Sequence, residues 1–154
     1  MVFHSLRPAP CRAWGNTKLD AGRIVPAALQ CSFLNSGGWK TSTAKRTVLQ
    51  QLVAGRLHHR RTHIAAFAEV HADSDGVKEQ WAQQLQPDGR SYFTEHLAVL
   101  IGPELQGVAI TATQYADGRA VRLDLALPTP TTYVFLYAPG CDTHKRRQLF
   151  FSAI

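Results

Sequence analysis

The chain has 154 residues, 45% of them hydrophobic and 18% charged, which fits one packed domain and excludes both a large multidomain enzyme and a chain disordered throughout. Lysine plus arginine outnumber aspartate plus glutamate by 17 to 11, for a net +6. Residues 1–63 hold ten basic side chains against Asp20 alone, for +9, while residues 64–154 hold seven against ten acids, for −3, a split that suits a polyanion such as nucleic acid and equally a solvated basic face.

Residues 1–26, with Pro8, Pro10, Gly15, Gly22 and Pro26, show little periodicity and read as a disordered basic extension, so the domain is expected to span 27–154. Arg7, Arg12, Lys18 and Arg23 interrupt this region, and no apolar stretch approaches the roughly 20 residues that cross a bilayer. A membrane span and an ordinary secretory signal are therefore not expected. The acid-poor first 18 residues have the composition of a transit peptide or of upstream sequence read in frame. The compartment is left open by the sequence, with an intracellular one, nucleus or cytoplasm, favoured.

Residues 28–35 form a short apolar run ending at Asn35 and the Ser36-Gly37-Gly38 turn, which suits a buried strand. Residues 42–57 place Ala44, Val48, Leu49, Leu52, Val53 and Leu57 at mostly three- and four-residue spacing behind the caps Thr41, Ser42 and Thr43, which predicts an amphipathic helix. Ile64-Ala65-Ala66-Phe67-Ala68 predicts a second buried strand that delivers Glu69 at its end. A short helix is expected over 77–85, then strands over 97–101, 107–113, 119–126 and 131–137. In 119–126, Val121, Leu123 and Leu125 alternate with Arg122, Asp124 and Ala126, the pattern of a half-exposed strand. Residues 142–154 predict a last helix with Leu149, Phe150 and Ile154 inward. This order implies a mixed α/β, or α+β, layered domain.

Cys11, Cys31 and Cys141 are odd in number and widely spaced, so they read as ordinary reduced cysteines. His59 and His63 stand at helix i, i+4 spacing beside His58, but no further ligand accompanies them, and with Arg60 and Arg61 the cluster reads as a solvated helix end or a phosphate contact. The segment 35–42 fails as a Walker loop, because Trp39 and Phe33 stand where glycines are needed. Asn35 and Glu69 each close an apolar strand, with one helix between. On neighbouring strands they would bring an amide oxygen and a carboxylate to one rim, hard donors suited to magnesium. A turn cap at Asn35 and an ion pair at Glu69 are the structural alternatives.

These residues stand inside a longer pattern. Asn35-Ser36-Gly37-Gly38 resembles an opening N-x-x-G motif and Phe67-Ala68-Glu69-Val70-His71 a Q-E-x-H segment. Gly89-Arg90-Ser91-Tyr92-Phe93 and Ala98-Val99-Leu100-Ile101 resemble middle strands, and Asp117-Gly118-Arg119 precedes the next. Leu136-Tyr137-Ala138-Pro139 resembles a Y-A-P motif, and Arg146 or Arg147 with Phe150-Phe151 an R-x-x-F-F helix. Over residues 28–154 the chain thus resembles the first half of the endonuclease/exonuclease/phosphatase superfamily, and within it the endonuclease domains of non-long-terminal-repeat retrotransposons.

The resemblance implies the amino-terminal half of a four-layer α/β-sandwich of the deoxyribonuclease-I-like type. It implies a phosphodiesterase dependent on Mg2+, with Mn2+ as a substitute, acting on DNA. Asn35 and Glu69 would be the metal ligands, and Tyr137 would face the scissile phosphate. Lys45, Arg46, Arg56, Arg60 and Arg61 would touch the DNA backbone.

The departures point the other way. Gly140 stands where the family has asparagine after Y-A-P, Ala68 replaces the glutamine, and the glycine pair is absent around Glu95-His96-Leu97. The family's later G-D-x-N and S-D-H motifs do not occur in the sequence, and Asp142-Thr143-His144 follows the tyrosine strand too closely to serve. Losing one transition-state donor can cost about 100–1000-fold in rate, so the chain alone is expected to be incomplete or inactive. A lone half is also expected to leave its inner apolar sheet face open, to be covered by a partner or a second half. The alternatives are a non-catalytic remnant that binds nucleic acid weakly, or part of a phosphatase of the same superfamily.

Overall fold

Unbroken and alternating apolar runs give this chain two kinds of strand, and the two kinds sit in different places. The computed structural model describes residues 9–10, 13–14, 28–38, 47–48, 50–51, 53, 55, 62–85, 89–138, 148 and 150–152. Among them the strands are β1 (Ala9–Pro10), β2 (Ala13–Trp14), β3 (Cys31–Asn35), β4 (Ile64–Ala68), β5 (Arg90–Phe93), β6 (Leu97–Ile101), β7 (Ile110–Tyr115), β8 (Ala120–Leu125) and β9 (Thr131–Leu136), with helix α1 (Asp75–Leu85) between β4 and β5. They form a five-stranded sheet in the order β2-β5-β6-β4-β3 and a four-stranded sheet in the order β1-β7-β8-β9. Only β3 and β4 pair in parallel; the other neighbours are antiparallel.

β4 is buried at every position because it has a strand on either side and a layer on either face. Ile64, Ala66 and Ala68 join Leu97, Val99 and Ile101 against Val121, Leu123, Leu125 and Phe135 of the second sheet. Ala65 and Phe67, on the other face, join Ala98 and Leu100 against Trp81 and Ala82 of α1 and the helical residue Val53. Each large apolar side chain buried this way contributes about 1.5–3 kcal/mol. The result is a mixed α/β domain with helix, five-stranded sheet and four-stranded sheet layered in turn. β4, β5 and β6 thus have both faces covered by this chain, contrary to the expectation of an open inner face, since the hairpins β7-β8-β9 supply the second layer, while the edge strand β3 keeps Phe33 exposed.

Several boundaries differ from the expected ones for local reasons. α1 starts at Asp75 because the Ser74 hydroxyl accepts the Val77 N–H at 3.4 Å, and Lys78 pairs with Asp75 at 3.2 Å. β7 starts at Ile110 because Pro103–Leu105 forms a tight 3-10 turn, with the Val108 N–H on the Leu105 carbonyl. β3 is half exposed, not buried, since it is the edge of its sheet. Val48, placed by its spacing on the apolar helix face, is exposed, while Phe150 is buried as expected. β8 alternates as predicted. The rest of the helices expected over 42–57 and 142–154 lies outside the described residues. Within the expected amino-terminal extension, β1 pairs with β7 and β2 with β5. No helix among the described residues is long and apolar enough to cross a membrane.

Candidate functional site

The parallel register sets Asn35 opposite Ala68, so the ends of β3 and β4 open on one rim. The Ser36 amide and hydroxyl both donate to the Ala68 carbonyl, at 3.0 and 2.6 Å, and the Gly37 amide donates to Asn35 Oδ1 at 2.9 Å. The turn closes through left-handed Gly38 (φ 84°), where a side chain would press on the His71 ring at 3.1 Å. Past β4 the chain turns sharply: Glu69 and His71 both take left-handed conformations, φ 60° and 55°. Val70 and Ala72 between and beyond them donate their amides to the carbonyls of His96 and Glu95. These bonds offset a left-handed cost of roughly 1–2 kcal/mol per residue. Glu69 Oε1 then accepts the Asn35 amide Nδ2 at 2.8 Å and the Tyr137 hydroxyl at 3.0 Å.

The second sheet supplies the other wall. Tyr137 follows β9 and donates its amide to the Arg119 carbonyl at 2.8 Å. The Arg119 guanidinium lies 5.4 Å from the centre of the Tyr137 ring, and the His96 ring lies 6.0 Å from it at a tilt of 43°. Arg119 is placed by a turn in which Ala116, Asp117 and Gly118 all have positive φ (49°, 53° and 78°). Buried Thr94 clamps that turn: its hydroxyl donates to the Gly118 carbonyl at 2.6 Å and accepts the amides of His96 at 3.2 Å and Leu97 at 2.8 Å. A Cβ at Gly118 would meet Thr94 Cβ at 3.0 Å, so glycine is required for both its conformation and its size.

The electrostatics follow from this crowding. Burial raises the Tyr137 phenol above the usual tyrosine value, the bond to Glu69 and the Glu69 charge raise it further, and Arg119 opposes them. Burial lowers the His96 imidazole below the usual histidine value, and the Arg119 charge lowers it again.

Of the residues singled out in the sequence, Asn35, Glu69 and Tyr137 lie together, joined through one carboxylate oxygen. Lys45, Arg46, Arg60 and Arg61, with His58 and His59, lie outside the described residues. His63 does not belong to a helix-end cluster: it is buried just before β4, and its Nδ1 accepts the Gln30 amide at 2.8 Å. Cys31 is exposed and not in a disulfide. His96, Arg119 and Thr94 complete the rim without having been singled out. No local pattern marks them, because the pairing of β4 with β6 and the left-handed turn after β7 bring them in.

Among the described residues no group of three or more His, Cys, Asp or Glu side chains stands together to hold a metal. Glu69 and the amide oxygen of Asn35 are hard donors at one rim, but Asn35 turns its Nδ2 to Glu69 and its Oδ1 to the Gly37 amide, so a magnesium ion would have to displace the bond between the two side chains to take both oxygens. No family model, curated protein or solved structure matches the chain.

Proposed function

We propose that this chain is the amino-terminal portion of a deoxyribonuclease-I-like domain and that its rim serves a magnesium-dependent phosphodiesterase acting on DNA. The observation that carries this reading is the Glu69 carboxylate held between the Asn35 amide and the Tyr137 hydroxyl. Asn35 and Glu69 would hold the ion, which when bound supplies Lewis-acid polarisation of a phosphoryl oxygen. Tyr137 presents a neutral hydroxyl beside the phosphate, and its single proton, held by Glu69 in the free chain, would turn to the phosphate when the ion takes up the carboxylate. Arg119 sets a permanent positive charge over that ring. The basic residues Lys45, Arg46, Arg60 and Arg61 add backbone contacts to DNA.

A second reading, weak nucleic-acid binding without catalysis, is favoured by how fully the site satisfies itself. Glu69 Oε1 already takes two protein donors and Asn35 Oδ1 takes the Gly37 amide. The two readings separate in one experiment: nicking of supercoiled plasmid by the 154-residue protein in Mg2+ and in EDTA, for the parent and Glu69→Gln. Metal-dependent nicking that falls at least about 100-fold in Glu69→Gln supports the phosphodiesterase. Intact plasmid, with DNA binding that survives Glu69→Gln and weakens steeply with salt, supports the second reading.

A further inference from the structure

His96 sits where the rim of the five-stranded sheet meets the second sheet. Leu97 pairs with Ala68 across β6 and β4, so His96 stands across from Glu69, and its carbonyl takes the Val70 amide at 3.2 Å. The ring is only partly buried, but its Nδ1 is sealed from water and has no hydrogen-bond partner. A proton on Nδ1 would strand a buried donor. A proton on Nε2 leaves Nδ1 as a bare lone pair inside and keeps the donor at the accessible edge of the ring. Arg119, Glu95, His71 and Asp117 are the charged and titratable groups that act on this ring: burial, Arg119 and His71 resist its becoming a cation, while Glu95 and Asp117 favour one, and the net direction is down. Among the described residues Arg119 forms no ion pair with a carboxylate. The corner beside Tyr137 thus joins a guanidinium that has no carboxylate ion pair among the described residues to a neutral N–H donor, with the Glu69 carboxylate turned to the Tyr137 hydroxyl.

We propose that His96 is a phosphate-contacting residue of this site: a neutral imidazole locked as the Nε2–H tautomer, donating to a DNA phosphate held beside Tyr137 and Arg119. The proposal rests on the phosphodiesterase reading for its ligand. It gives the rim a histidine donor drawn from within residues 28–138, and that donor acts without changing protonation state.

The test uses the full chain labelled with 15N-histidine, titrated with a twelve-base-pair DNA duplex at fixed salt, with and without Mg2+. The expected result is an Nε2–H tautomer for His96 in the free protein and a downfield move of that N–H when duplex is added. Duplex affinity should fall roughly tenfold to a hundredfold in His96→Ala, the scale of one hydrogen bond to a charged group. It should return to within about threefold in His96→Gln, whose amide nitrogen reproduces Nε2 but not Nδ1. A purely structural role would not give that rescue, and thermal melts of both variants separate misfolding from lost contact. An Nδ1–H tautomer, an N–H that does not move at saturation, or unchanged affinity in folded His96→Ala overturns the proposal. Glu69→Gln keeps the two readings apart: if its nicking survives while His96 behaves as expected, the metal mechanism fails and the phosphate contact stands. If Glu69→Gln abolishes nicking while His96→Ala binds like the parent, only the contact fails.

Discussion

Glu69 and Tyr137 lie 68 residues apart in the chain and meet at 3.0 Å, carboxylate to phenol. Glu69 leaves the five-stranded sheet and Tyr137 leaves the four-stranded one, so this bond crosses the seam between the layers. Asn35 completes the link from the sheet edge at 2.8 Å. The site and the closure of the sandwich are therefore one piece of geometry.

Tyr137→Phe removes the crossing bond and keeps the ring under Arg119. The lost bond has a charged acceptor but stands near solvent, so unfolding free energy in urea should drop by about 1 kcal/mol. Combined with Glu69→Gln the losses should not add, and the cycle should return a coupling of at least about 0.5 kcal/mol. Strict additivity would mean that the two side chains do not interact in solution.

Thr94→Val keeps shape and removes a buried hydroxyl that serves Gly118, His96 and Leu97. Leaving those backbone groups without it should cost about 2–3 kcal/mol, with Thr94→Ser recovering most of the loss. Equal stability of Thr94→Val and parent in urea would remove the clamp from the description of the rim.

Arg119→Gln tests the charge beside His96. Burial is the larger cause of the lowered histidine pKa and Arg119 the second, so the NMR titration midpoint of His96 should rise in the variant yet stay below the ordinary histidine value. The sign for stability is fixed by the same shift. The unfolded chain binds the proton first as pH falls, so the contribution of His96 is whole above the ordinary histidine pKa and is lost as pH falls through the lowered one. Arg119→Gln should narrow that acid-side loss. A midpoint unmoved by the substitution would remove Arg119 from the causes of the shift and leave burial and His71.

Much of the layering was legible in the sequence, because burial on two faces writes an unbroken apolar run and burial on one face writes alternation. β4 and β6 read as the first kind and β8 as the second. Edge position writes no such mark, so residues 28–35 read as a buried strand although Cys31–Asn35 forms a half-exposed edge. Asn35 and Glu69 were visible as polar residues that stop apolar runs. His96 and Arg119 were not, since each follows a turn whose geometry depends on Thr94 reaching from one sheet to the other. The cover over β4, β5 and β6 writes no mark either: strands over 107–113, 119–126 and 131–137 are legible in the sequence, but not that they fold back on their own chain.

The seam bond also orders events in time. The Asn35–Glu69 bond needs β3 paired with β4 and the Val70 and Ala72 amides on His96 and Glu95, whereas the Tyr137–Glu69 bond also needs β7, β8 and β9 formed and docked. Non-local closure of this kind is the slow part of folding. In refolding followed by hydrogen exchange, the Tyr137 amide, bonded to Arg119, should gain protection no earlier than the amides of β4.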